Sequence, residues 1–269
     1  MPLATASGPP ASTSPARRPD LRAILFDVNG TIVDIETDEW SEDAYHVLAH
    51  LLTYQGVSLH AHEIRDLYYD VMEEQFEAGG EEFAEFDAVG VWRTVLEQHG
   101  SARTAALPVE KMAHLPVFMA EVHRAISRKR LRAFPDVHRV LETLAKKYIL
   151  AVVTDAQSAY ANAELHEVGL RDFFRLVAVS GDYGYRKPDG RLFAGALQAL
   201  GVRPDQAVYV GNDMYRDVYG AHQAGMKAVL FSSQYGEKHH LDTHLDTVPD
   251  SVIRHFGQLL DAIERLAQA

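Results

Sequence analysis

Short apolar segments alternate with amphipathic ones along the second half of the chain. Apolar runs lie at residues 148–153, 176–179, 207–210 and 228–231, and segments with helical spacing of apolar residues flank or separate them at about 137–147, 159–168, 191–200, 217–224 and 256–269. Strands that are apolar along their whole length are typical of a sheet that is buried on both faces, and the intervening helices are typical of parallel crossovers. This pattern predicts an α/β fold with a doubly wound parallel sheet.

The same pattern starts earlier, with an apolar run at residues 22–26, and is then interrupted. Residues 38–127 place apolar side chains at helical spacing in four successive stretches and contain no convincing strand. We therefore predict a core formed by residues 21–36 and 129–269 and an inserted all-α cap formed by residues 37–128. Residues 1–20 are rich in Pro, Ser, Thr and Ala, and we expect a disordered leader there.

Charge and composition narrow the classes of function. The formal net charge is −12, which argues against a general nucleic-acid binder because phosphate contacts need clustered Lys and Arg. The absence of cysteine excludes disulfides and thiol chemistry. No apolar stretch approaches the length of a membrane-spanning helix. We expect no nucleic-acid or membrane partner and a cytoplasmic location, and the sequence leaves the oligomeric state open.

Polar side chains stand where the predicted strands end. Asp27 follows the first strand, Thr154 follows the strand at 148–153, and Lys187 lies in the loop after 176–179. Asp213 and Asp217 follow the strand at 207–210. Ligands of open α/β sheets bind beyond the carboxyl ends of the strands, so we expect these side chains to share one crevice beneath the cap. Carboxylates can hold Mg²⁺, Lys and Thr can hold a phosphoryl group, and an aspartate can attack it.

Four segments in this order closely resemble the motifs of the haloacid dehalogenase superfamily. The first resembles D-x-D-G-T, and in chain order the segments read "FDVNGT", "VVT", "RKPDGRLF" and "YVGNDMYRDVYGAHQAGM". The resemblance extends from Arg22 onward, and the helical insertion resembles the C1 cap of that family. It implies a Rossmann-like core and hydrolysis of a small phosphorylated metabolite with Mg²⁺ as cofactor.

The resemblance also implies a role for each motif residue. Asp27 is expected to be the nucleophile and a metal ligand, and the backbone carbonyl of Asn29 is expected to be a second ligand. Thr154 and the backbone N–H groups around Gly30 are expected to bind the phosphoryl oxygens. Lys187 is expected to neutralise charge on the nucleophile and on the transferring group.

The fourth motif leaves the remaining metal ligand open. The family carboxylate falls on Asn212, one place before Asp213. Either Asp213 takes over the metal or Asn212 binds it through a neutral oxygen, and we favour Asp213. Asp217 is expected to orient Lys187. Asp155 follows Thr154, and because a carboxylate repels phosphate we expect its side chain to point elsewhere.

Asn29 stands where family phosphatases carry their general acid and base. An amide cannot donate or accept that proton, and loss of such a group costs about 10²–10⁴ in rate. The favoured hypothesis is a slow or specialised Mg²⁺-dependent phosphatase acting through an aspartyl-phosphate on Asp27. The alternatives are a dehalogenase-like hydrolase acting at carbon, and a catalytically damped protein that binds a phosphorylated ligand or a partner.

Overall fold

The computed structural model describes residues 20–232 and 247–268, so all but the last residue of the expected leader lies outside the described residues. Within them, eight strands form two sheets: β1 (Ala23–Phe26), β2 (Val33–Thr37), β3 (Arg128–Ala133), β4 (Ile149–Thr154), β5 (Leu176–Val179), β6 (Ala207–Gly211), β7 (Lys227–Phe231) and β8 (Ser251–Ile253). The larger sheet has six parallel strands in the order β5–β4–β1–β6–β7–β8. The predicted doubly wound α/β fold is confirmed.

The helices fall into a cap group and a core group. Those of the described residues are α1 (Glu42–Tyr54), α2 (Ala61–Gly79), α3 (Ala88–His99), α4 (Ala102–Ala105), α5 (Val109–Ser127), α6 (Val137–Ala145), α7 (Ser158–Glu167), α8 (Gly190–Leu200), α9 (Gly220–Gln223) and α10 (Leu259–Gln268). The first five follow one another without a core strand between them. The inserted helical segment expected from the sequence is therefore present.

The core sheet is covered on both faces, and its central strands β1 and β6 are buried at every position. In β1, Ile24 and Phe26 pack in one hydrophobic cluster with residues of α6, α7 and α10. The alternate residues Ala23 and Leu25 pack in a second cluster with residues of α8 and α9. Successive side chains of a strand point to opposite faces, so a fully apolar strand requires two covering layers.

The cap helices form a hydrophobic core of their own. Four of its large side chains, Tyr45, Leu52, Ile64 and Trp92, are each no more than 1% exposed. Apolar positions at helical spacing in α1, α2, α3 and α5 converge there, which is why these helices form a bundle instead of packing individually on the sheet.

An antiparallel ribbon joins the cap to the core, and the sequence analysis did not predict it. Strands β2 and β3 pair with Asp34 opposite Arg132 and Ile35 opposite Leu131. Both segments alternate apolar and charged residues, "VDIET" and "RKRLRA", which is the pattern of a ribbon exposed on one face. The sequence analysis also missed the short strand β8 and helix α4.

The chain after β6 departs from the predicted helix at 217–224. Residues Met214–Tyr219 form a π-helical turn, and only then does α9 begin. The Asp213 carbonyl accepts the N–H of both Asp217 and Val218 at 3.1 Å, which widens the turn. The Asp213 carboxylate caps the same turn by accepting the N–H groups of Tyr215 and Arg216.

The loop between α2 and α3 attaches the cap to the core. The Glu85 N–H donates to the Gly184 carbonyl at 3.0 Å, and the Arg186 N–H donates to the Phe83 carbonyl at 2.8 Å. The Glu85 carboxylate also accepts the Ser180 hydroxyl at 2.7 Å. These contacts fix the cap against the loop that carries Lys187.

Candidate active site

Asp27 lies at the carboxyl end of the central strand β1 and is 6% exposed. Its N–H donates to the Val210 carbonyl at 2.9 Å, which continues the pairing with β6. Its Oδ1 accepts Lys187 Nζ at 2.8 Å and Thr154 Oγ1 at 3.1 Å, and its Oδ2 accepts Thr31 Oγ1 at 3.1 Å. Three donors from three segments therefore hold this carboxylate in one orientation.

Lys187 is buried between two carboxylates. Besides Asp27, its ammonium donates to Asp217 Oδ1 at 2.6 Å and to the Tyr209 hydroxyl at 3.1 Å. Burial alone would lower the pKa of Lys187, but Asp217 and Asp27 together raise it well above its ordinary value. The Lys187 ammonium therefore stays charged.

Asp217 anchors the turn after β6 as well as Lys187. Its Oδ2 accepts the N–H groups of Asn212 and Asp213 at 2.9 Å each. A Cβ on Gly211 would lie 2.3 Å from the Asp217 carboxyl group, so only glycine permits this approach. The sequence-based expectation that Asp217 orients Lys187 agrees with the 2.6 Å contact.

Gly30 brings the loop after β1 close to the loop after β6. It has a φ of +79°, and a Cβ there would lie 2.4 Å from Asn212 Nδ2. Its N–H donates to the Val33 carbonyl at 2.8 Å. The expected phosphate contact from the Gly30 N–H therefore does not fit this geometry, because that N–H already has an acceptor within the loop.

The two candidates for the further metal ligand have different surroundings. Asn212 Oδ1 accepts Thr31 Oγ1 at 3.2 Å, and the same hydroxyl contacts Asp27. Asp213 instead uses Oδ1 for the helical turn and Oδ2 for Arg216 Nε at 3.0 Å. Burial alone would raise the pKa of Asp213, but the N–H and the guanidinium of Arg216 outweigh it and lower that pKa.

Asp155 does not point away from the site, contrary to the expectation from charge repulsion. It lines the same cavity as Asp27, and its side chain is 10% exposed. Oδ1 accepts the backbone N–H of Lys187 at 2.9 Å. Oδ2 has no hydrogen-bond partner, and Arg216 Nη1 lies 3.8 Å from it. The backbone N–H explains the orientation, since it offers the carboxylate a donor at the cavity edge.

These side chains surround a cavity of about 380 Å³ between the sheet edge and the ribbon. Its charged lining consists of six carboxylates and three cations: Asp27, Asp34, Glu36, Asp155, Asp213, Asp217, Arg130, Lys187 and Arg216. An anionic ligand would meet excess negative charge there unless a cation accompanies it. Within the described residues, no three His, Cys, Asp or Glu side chains form a metal site by themselves. Mg²⁺ keeps several waters and needs only one or two carboxylates, so the oxygen donors fit it.

The structure brings Asp27, Thr154, Lys187 and Asp217 into direct contact, and it places Asn29, Gly30, Asn212 and Asp213 along the same cavity. The sequence analysis did not anticipate three contributors, namely Thr31, Tyr209 and Arg216. Thr31 belongs to the quoted "FDVNGT" segment and had a signal there. Tyr209 and Arg216 belong to the quoted "YVGNDMYRDVYGAHQAGM" segment, but the sequence analysis assigned no role to either.

Comparisons with known proteins bear on the family and the fold. A family model described as haloacid dehalogenase-like hydrolase matches residues 24–231. Glyceraldehyde 3-phosphate phosphatase from Methanopyrus kandleri is 28% identical over 92% of this chain and 99% of its own length. The protein of the same name from Pyrococcus furiosus is 36% identical, but the match covers 50% of this chain and 56% of that protein.

A likeness to solved structures supports the fold. The crystal structure of 2-haloacid dehalogenase from Pseudomonas syringae has a TM-score of 0.66, with 24% identity over 91% of this chain and 99% of that one. In the part of the chain that the structure describes, no helix combines the length and apolar character needed to cross a membrane. With the family model covering most of the chain, the protein belongs to the haloacid dehalogenase-like hydrolases.

Proposed function

We propose that this protein is a Mg²⁺-dependent phosphatase that hydrolyses a small phosphorylated metabolite through an aspartyl-phosphate on Asp27. The observation that carries the proposal is the Asp27 carboxylate itself. It stands at the carboxyl end of the central strand, lines the cavity and is oriented by Lys187, Thr154 and Thr31. A fixed carboxylate beside a buried cation suits nucleophilic attack on phosphorus.

Lys187 and Thr154 prepare the nucleophile and the site for the transferred group. The Lys187 ammonium reduces repulsion between the Asp27 carboxylate and an incoming phosphate. Asp217 and Tyr209 fix the ammonium from the other side, so it needs no reorganisation during the reaction. Thr154 lies next to Asp27 and is 1% exposed, in a position to orient the attacking carboxylate.

We assign the metal ligands to Asp27, the backbone carbonyl of Asn29 and the amide oxygen of Asn212, in preference to Asp213. Asn212 contacts the hydroxyl that also contacts Asp27, whereas both oxygens of Asp213 are engaged by its own turn. When bound, Mg²⁺ would supply positive charge to offset that of the phosphate and of the acidic lining.

The substrate class follows from the size of the cavity and from the curated relatives. A volume of about 380 Å³ suits a small metabolite, and the two relatives described above are named as glyceraldehyde 3-phosphate phosphatases. We extend only the class, a small phosphorylated metabolite, to this chain.

The test is a panel of phosphorylated metabolites with Mg²⁺, measured by phosphate release from the wild type and from Asp27→Asn. We expect release that requires both Mg²⁺ and Asp27. Glu36→Gln is the matched control, because it removes a carboxylate from the same cavity without touching the nucleophile. Halide release from 2-haloacids without metal would favour hydrolysis at carbon. Thermal stabilisation by phosphorylated ligands without turnover would favour a binding protein.

A further inference from the structure

The site needs a proton donor for the leaving group, and Asn29 cannot supply one. The cavity contains other carboxylates, but most of their oxygens are engaged. Asp34 is held by Arg130 and Arg132, Asp213 by its own turn and Arg216, and Asp217 by Lys187 and two N–H groups. Glu36 is more than half exposed and pairs with Arg130.

Asp155 differs from these groups in having one oxygen, Oδ2, that accepts no hydrogen bond, although Arg216 Nη1 lies 3.8 Å from it. Asp155 Oδ2 is a buried oxygen without a hydrogen-bond partner, and within the described residues Asp155 is the cavity-lining residue that carries such an atom. The hydrogen bond from the Lys187 N–H to Oδ1 fixes the carboxyl group, so that Oδ2 has a defined position. Asp155 lines the same cavity as Asp27, and the preceding residue, Thr154, donates a hydrogen bond to Asp27.

The surroundings of Asp155 raise the pKa of its carboxyl group above the ordinary value. Burial raises the pKa of this carboxyl group, and the Asp27 carboxylate raises it further. Lys187 and Arg216 act in the opposite direction but do not reverse the shift. Glu85, on the cap loop, also carries a carboxyl group whose pKa is raised, chiefly by burial and with a contribution from Asp155. A general acid works best when its pKa lies near the working pH, and these shifts move Asp155 in that direction.

We propose that Asp155 replaces the missing acid at position 29 and acts as the general acid and base of the reaction, an assignment that rests on the proposed phosphatase function. In the first step, an oxygen of Asp27 bonds to phosphorus while the bond from phosphorus to the alcohol oxygen breaks. Asp155 Oδ2 gives its proton to that alcohol oxygen and becomes a carboxylate. In the second step, Asp155 takes a proton from water as the water oxygen bonds to phosphorus and the bond to Asp27 breaks.

A structural role for Asp155 makes different predictions. Its Oδ1 holds the backbone of Lys187, so a merely positioning residue would act through that hydrogen bond. Asp155→Asn keeps an oxygen that accepts the Lys187 N–H but cannot donate a carboxyl proton. Asp155→Ala removes both. The comparison separates proton transfer from positioning.

The experiment measures kcat/KM with Mg²⁺ for an alkyl phosphate, glycerol 3-phosphate, and for p-nitrophenyl phosphate, whose leaving group needs no proton. We expect Asp155→Asn to lower kcat/KM by about 10²–10⁴ for the alkyl phosphate and by less than about tenfold for the aryl phosphate. Asn29→Asp in the Asp155→Asn background should recover at least about tenfold for the alkyl phosphate, because it restores an acid at another position in the same cavity. Glu36→Gln should change either value by less than about threefold, since it alters charge in the cavity without removing the acid.

The possible outcomes distinguish a failure of the Asp155 assignment from a failure of the proposed phosphatase function. Equal losses on both substrates that Asn29→Asp does not rescue would make Asp155 a positioning residue, and an unchanged alkyl-phosphate rate in Asp155→Asn would exclude it from the reaction. Either result overturns the assignment while leaving the phosphatase intact. Wild-type protein with no Asp27-dependent phosphate release would overturn the proposed function itself, and this assignment with it.

Discussion

Lys187 is the residue whose removal should disturb both stability and chemistry most sharply. Its ammonium lies 2.8 Å from Asp27 Oδ1 and 2.6 Å from Asp217 Oδ1, and the side chains of Lys187 and Asp217 are 2% and 1% exposed. Lys187→Met fills a similar volume but leaves two buried carboxylates without their shared cation. Loss of one partner from a buried ion pair costs about 3–5 kcal/mol, because the remaining charge stays desolvated.

The assay is urea unfolding without Mg²⁺ at neutral pH, completed as a double-mutant cycle with Asp217→Asn. We expect Lys187→Met to lower the free energy of unfolding by about 3–5 kcal/mol and to abolish phosphate release. The double variant should be more stable, by at least about 1 kcal/mol, than the sum of the two single effects implies. The reason is that Asp217→Asn removes one of the two buried carboxylates that Lys187→Met leaves without a cation. Asn at 217 can still accept the N–H groups of Asn212 and Asp213, so the turn keeps its anchor.

A surface lysine provides the control for this cycle. Lys146 pairs with Glu142 at 3.8 Å, and both side chains are about 70% exposed. Lys146→Met should cost less than about 0.5 kcal/mol, since exposed ion pairs contribute little. A cost below about 1 kcal/mol for Lys187→Met, or a strictly additive cycle, would refute the claim that the buried carboxylates depend on this cation.

Two further predictions address the cap and the loop after β1. Burial lowers the pKa of His123 to about 4 in the folded protein. On acidification the imidazole therefore binds a proton more readily in the unfolded chain than in the folded one. The stability that is present above pH 6.5 is consequently lost as the pH falls. Between pH 7 and 5 this should cost roughly 2 kcal/mol, and His123→Phe should flatten that slope in urea midpoints measured against pH. Gly30→Ala should lower Mg²⁺-dependent turnover at least about tenfold, because its Cβ would displace Asn212 from the nucleophile loop. Gly201→Ala, which shares a positive φ but has open space around it, should lose only a modest amount of stability, about 1 kcal/mol, and no activity.

The apolar periodicity of the chain was sufficient to predict the architecture. Strand β5 matches its predicted bounds. Strand β4 is shifted by one residue, β6 ends one residue later than predicted, and β7 begins one residue earlier. This success has a physical reason, because a sheet buried on both faces leaves no polar positions within its strands. The ribbon of β2 and β3 was missed because its two short strands lie on either side of the whole cap in the sequence, so no local pattern pairs them.

The side chains that meet at the edge of the sheet could also be predicted from the sequence. Asp27, Thr154, Lys187 and Asp217 stand in the order and spacing that parallel strands bring to one edge, and the structure places them in contact. Asp27 needs only its position after an apolar strand to be recognised as a candidate, because the end of a central strand points into the crevice.

What the tertiary structure alone decided is which atoms are already engaged. The Gly30 N–H has an acceptor, the Asp213 carboxylate caps a turn, and one oxygen of Asp155 lacks a hydrogen-bond donor. The first two facts depend on the detailed conformation of a turn, and the third depends on the packing of Asp155 against Lys187, which is far from it in the chain. Sequence spacing fixes which residues reach the sheet edge, but hydrogen-bond saturation depends on packing among them, and that saturation determines which groups remain available for chemistry.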